Sequence, residues 1–104
     1  MKYHPKFLDA AEQDTKDIEE YLVEFSIGAV RSFFYNLKER ICALSTMPLI
    51  CPAYEKDPFF RRMVLGDYIL FYSVDEKRKL VIVHRIFHHS RDTDQHMREH
   101  RTMM

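Results

Sequence analysis

Residues 59–92 read FFRRMVLGDYILFYSVDEKRKLVIVHRIFHHSRD, and the periodicity of this stretch decides the fold. Its β-rich, apolar residues fall into three runs with a period near two, at residues 59–65, 68–74 and 80–88. Gly66-Asp67 separates the first two, because glycine reaches the positive φ that a tight hairpin needs. The polar run Asp75-Glu76-Lys77-Arg78-Lys79 makes the second turn. An antiparallel three-stranded meander follows from these spacings. The middle run, Tyr68-Ile69-Leu70-Phe71-Tyr72, is apolar at both parities, so both faces of the central strand must be covered.

Upstream, residues 48–58 hold Pro48, Pro52 and Pro58 among charged residues and read as a loop. Before it, Val30, Phe33, Phe34, Leu37, Ile41 and Leu44 form one helical stripe that Ser26 can cap and Met47-Pro48 ends. An earlier stripe, Ile18, Tyr21, Leu22 and Phe25, follows Asp9-Ala10-Ala11-Glu12, an aspartate variant of the capping box. With almost no linker between them, the two helices fold back as a hairpin. Residues 2–7 form a weak first strand, which Pro5 confines to a sheet edge or to a solvent-facing position because it lacks an N–H. The expected fold class is α+β: a helical hairpin on a small antiparallel sheet, with a short helix or tail after Ser90. The hairpin covers one face of the sheet. The other falls to the tail, a ligand or another protein, which is a first functional hint.

At 104 residues the chain has room for one domain, spanning 1–104, with a tail from about residue 93. Hydrophobic residues at 46% and charged residues at 31% exclude a disordered or collagen-like chain. No apolar run approaches the roughly 18 residues of a bilayer span. The opening MKYHPKFLDAAEQD lacks the apolar core and cleavage site of a secretion signal, so the cytoplasm is the expected location, where Cys42 and Cys51 stay reduced. A formal net charge of zero argues against gripping nucleic acid by bulk electrostatics. Residues 59–104, however, carry nine Lys/Arg against six Asp/Glu, with five of the six histidines, so an anion site belongs in this half. His96 and His100 share a helical face at i, i+4, but with no cysteine near them neither a metal site nor any cofactor is expected. No Gly-rich phosphate loop, Ser/His/Asp elbow or zinc-finger spacing supports an NTPase, hydrolase or finger protein.

The element order, together with Gly66-Asp67-Tyr68 running to Tyr72 and Val74-Asp75, and Arg85-Ile86-Phe87-His88 running into Arg91-Asp92, resembles the RelE/ParE superfamily of type II toxin-antitoxin toxins. The resemblance implies a growth-inhibiting toxin held inactive by a cognate antitoxin in a hetero-oligomer. It implies one of two targets: the ribosome with its messenger RNA, cut by the RelE and YoeB branches, or DNA gyrase, poisoned by the ParE branch through binding. Ribosome-dependent mRNA cleavage is taken as the leading expectation, with ParE-like gyrase poisoning, or a degenerate member that only binds antitoxin, as the alternatives.

Metal-independent RNA cleavage needs a group for the 2′-hydroxyl proton, a cation for the charge on phosphorus and an acid for the leaving oxygen. The resemblance places His88 as that acid or base, with Arg62 and Arg91 on the phosphate. Arg61 points opposite to Arg62, and one of the two reaches the open face. Arg85 offers a further cation, and of Tyr68 and Tyr72 one can stack on a base while the other supports the core. Arg61, Tyr68, Ile69, Arg85 and His89 are the expected target- or antitoxin-binding residues. At Ile69 the nuclease branch usually carries an arginine, and an isoleucine cannot donate to a phosphate.

Overall fold

A computed structural model of the chain describes residues 2–104. Its elements run β1 (His4–Phe7), α1 (Asp9–Val23), α2 (Ile27–Thr46), β2 (Arg61–Leu65), β3 (Tyr68–Asp75), β4 (Leu80–His88) and α3 (Thr93–Met103). The four strands form one sheet in the order β1-β4-β3-β2. The β2–β3–β4 meander is antiparallel, with Tyr68 opposite both Leu65 and His88. β1 occupies the edge that Pro5 demands, but it runs parallel to β4, so the sheet is mixed rather than wholly antiparallel. A period of two is the same in either chain direction, so strand orientation had to come from tertiary topology.

Both tight connections rest on left-handed backbone. Gly66 has φ 59° as expected, whereas in the second turn Lys79 takes φ 56° with a side chain attached, and Asp75 accepts the Arg78 N–H at 3.0 Å. A bulge interrupts the β3–β4 ladder. Phe71 faces Arg85 and Tyr72 faces Val83, which leaves His84 as the extra residue.

α2 follows its sequence pattern. Ser26 Oγ accepts the Ala29 N–H at 3.0 Å, and Phe33, Leu37, Ile41 and Leu44 are buried against the sheet. α1 departs from it twice. Asp9 is the first helical residue rather than the cap: Leu8 still donates its N–H to Val83 across the sheet, and its carbonyl accepts from Glu12 as the helix begins. Phe25 lies beyond the helix, 66% exposed, edge-on to Tyr21 in the tight turn. The buried face of α1 is Ala11, Asp14 and Ile18, with a carboxylate inside the apolar stripe.

The second sheet face is covered from within the chain. α3, capped by Asp92 Oδ1 on the Gln95 N–H at 3.1 Å, inserts Met97, 1% exposed, among Tyr54, Phe60, Ile69, Phe71 and Phe87. The Tyr54 hydroxyl donates to Asp94, and Arg101 bridges Asp57 at 3.5 Å while lying over the Phe59 ring. Of the three covers allowed by the sequence, the tail supplies this one, joined by the loop before β2. No helix among the described residues is long and apolar enough to cross a membrane.

Candidate functional site

β1 ends at Phe7 while β4 continues to His88, so the last residues of β4 have an unpaired outer edge. α1 packs along that edge and leaves a groove of about 430 Å³. Asp14, Asp17, Ile18 and Tyr21 line it from α1, Tyr68 from β3, residues 85–88 from β4, and Ser90 and Arg91 from the connection to α3.

Asp14 organises one end of this groove. Its carboxylate accepts the Ile86 N–H at 2.9 Å, filling in for the missing neighbour strand. It also takes both prongs of the Arg85 guanidinium, Nε at 2.7 Å and Nη2 at 2.9 Å. This fork geometry is the strongest form of carboxylate–arginine pairing, and it commits Arg85, which also lies 4.5 Å over the Phe87 ring.

His88 occupies the other end, half-buried and edge-on to Tyr68. The Ser90 N–H donates to His88 Nδ1 at 3.2 Å and the Ser90 hydroxyl lies 2.7 Å from the same nitrogen. Nδ1 therefore serves as acceptor, and the neutral ring carries its proton on Nε2. His89 stacks on His88 at 4.6 Å, exposed. Arg91 is exposed beside it, with Nη2 3.3 Å from His96 and no carboxylate partner among the described residues. Tyr68 is buried against Phe33, and burial, with smaller contributions from Tyr21 and Asp67, holds its phenol above the usual range. The phenol stays protonated near neutrality.

The remaining sequence candidates lie elsewhere. Arg62 pairs across the ladder with Phe71 on the α3 face, beside Tyr54, Glu55 and Asp94, whereas His88 pairs with Tyr68 on the helix face. Strand alternation thus separates Arg62 from the groove, and the expected trio of His88, Arg62 and Arg91 is not assembled. Arg61 turns the other way and donates Nη1 to the Cys51 carbonyl at 2.7 Å, pinning the loop. Ile69, expected at a binding surface, is 5% exposed in the layer under α3, because it alternates with Tyr68.

Two features were missed in the sequence. Asp14 falls between Ala11 and Ile18 on the buried stripe of α1, and a carboxylate in that place is the signal of a buried partner. His84 is buried at the bulge, 2.8 Å from Ser73 Oγ and 2.9 Å from His100 of α3. No local pattern announces a bulge, so its partners were not legible.

Residues 6–93 match the family model described as the ParE toxin of the type II toxin-antitoxin system parDE. No curated protein matches the chain in sequence. Among solved structures, the fold is similar to the chromosomal ParDE system of P. aeruginosa, at 19% identity and TM-score 0.64 over 84% of this chain and 96% of that one. It is also similar to a doubly substituted E. coli toxin RelE in the free state, at 16% identity and TM-score 0.64, covering 92% and 93%. The RelBE2 toxin-antitoxin complex of Mycobacterium tuberculosis matches at 23% identity and TM-score 0.55, covering 85% and 99%.

Proposed function

Because the chain belongs to the ParE toxin family of type II toxin-antitoxin systems, we propose that it arrests growth by binding and poisoning DNA gyrase rather than by cutting RNA. The observation that carries this reading is the charge set around His88. Cleavage of a phosphodiester needs cations converging on one phosphate, preorganised for the charge that develops there. Arg62 lies on the far face of the sheet, Arg85 is committed to Asp14, and Ile69 is buried where the nuclease branch usually carries an arginine. Arg91 alone remains beside His88, and Asp14 and Asp17 line the same groove. A surface of this kind suits recognition of a folded partner better than catalysis on a polyanion.

A cognate antitoxin is the second partner of this reading, forming a hetero-oligomer that keeps the toxin silent until the antitoxin is lost. The groove between α1 and the end of β4, with Tyr21 and Arg91 exposed at its walls, is the proposed contact surface for target or antitoxin.

Gyrase supercoiling with purified chain in excess tests the proposal. Supercoiling should fall and covalent gyrase–DNA complexes accumulate, and because His88 lines the proposed contact groove, His88→Ala should act only through affinity, with its inhibition restored at higher concentration. Normal supercoiling overturns it. Discrete cuts in translated messages on induction, abolished by His88→Ala, would establish the ribonuclease reading instead.

A further inference from the structure

α3 is held to the sheet partly by two histidines. His84 of β4 is 2% exposed at the bulge; its Nε2 lies 2.8 Å from Ser73 Oγ of β3, and its Nδ1 lies 2.9 Å from Nε2 of His100 in α3. The rings meet edge to face, 5.0 Å between centroids, and the Phe60 ring closes the pocket at 4.9 Å from His84. We propose that this pair is an acid-released latch: protonation undocks α3 and bares the apolar cluster of Phe60 in the loop with Ile69, Phe71 and Phe87 on the sheet.

The contact holds one proton between two ring nitrogens, so one ring donates and the other accepts, and both can be neutral. Two imidazoliums would set N–H against N–H. Even the first added charge meets an unfavourable setting. From α3, Arg101 faces the pair; from β4, Arg85; from β3, only the Ser73 hydroxyl; from the loop, Phe59 and Phe60. The carboxylates of the surrounding elements are already engaged, Asp14 of α1 with Arg85 and Asp57 of the loop with Arg101.

Burial first, then the His100 and Arg101 charges, lowers His84 to about 4. Burial first, then Arg85, lowers His100, against an opposing pull from Asp14. Undocked, both rings meet water and return to their ordinary range near 6.5. The docked state therefore keeps its full stability above about pH 6.5 and loses it as pH falls from there, by up to ~10-fold per pH unit through His84 down to about 4, with a further loss of the same sign through His100. α3 can leave alone because Met97 is its one buried side chain, while the core under α1 and α2 shares nothing with it.

Amide hydrogen exchange of the full chain between pH 7.5 and 4.5, corrected for intrinsic rates, tests the latch. Protection in α3 should fall about tenfold or more between pH 6.5 and 5.5 while the inner strands β3 and β4 hold theirs. His84→Gln/His100→Gln, which cannot titrate, should flatten the step. Constant α3 protection down to pH 4.5 overturns the proposal. So does simultaneous loss of protection in β3 and β4, or an undiminished step in the double variant. Should that variant fail to dock at pH 7.5, ring resonances of the parent decide: titration of both histidines at 6.5 or above refutes the latch, and depressed midpoints support it.

Discussion

Replacing Asp14 by alanine removes three acceptor contacts at once, and its cost can be worked from the geometry. The Ile86 N–H at 2.9 Å loses the partner that stands in for a neighbour strand, at about 1–3 kcal/mol for a buried unsatisfied donor. Arg85, whose side chain is 24% exposed, loses its bidentate carboxylate, and a fully buried pair broken on one side costs about 3–5 kcal/mol. Water reaching the guanidinium offsets part of this, and the two losses share one carboxylate. The expected sum is about 2–4 kcal/mol. Asp14→Asn keeps an oxygen for the Ile86 N–H and should lose about half as much. The chain contains no tryptophan, so urea unfolding followed by far-ultraviolet circular dichroism is the suitable assay. The midpoint should fall by roughly 1–2 M at unchanged slope. A loss below about 1 kcal/mol for Asp14→Ala, or equal losses for the two variants, refutes the assignment of Asp14 as the stand-in for the missing strand.

Met97→Ala should cost about 2–5 kcal/mol of α3 docking, read as exchange protection lost in α3 but retained in β3 and β4. Ser26→Ala removes the α2 cap and should lower stability by about 1 kcal/mol, a melting-temperature drop of roughly 5 °C. Lys79→Gly relieves a left-handed residue and should stabilise by about 0.5 kcal/mol in the same denaturation assay; a loss instead would mean that the Lys79 side-chain contacts outweigh the backbone strain.

The meander, its two turns, the Ser26 cap and the hairpin of helices were legible because each depends on residues close in sequence: a period of two, a glycine at a turn, a hydroxyl three residues from the amide it caps. The apolar run at both parities of β3 also announced correctly that two layers would form. What lay beyond reach were relations between distant segments. The parallel setting of β1, the covering of the second face by α3, the bulge at His84 and the Asp14–Arg85 pair, 71 residues apart, all arise when elements meet. The site divides along the same line. The sequence supplied a row of arginines and histidines around β4, but sheet pleating decided which share a groove. It put Arg62 and Ile69 on one face and His88 on the other, and packing against α1 occupied Arg85. Local pattern determined which elements exist, because backbone preference is local; the tertiary fold alone decided which charges converge, because side-chain partners are chosen across the sheet.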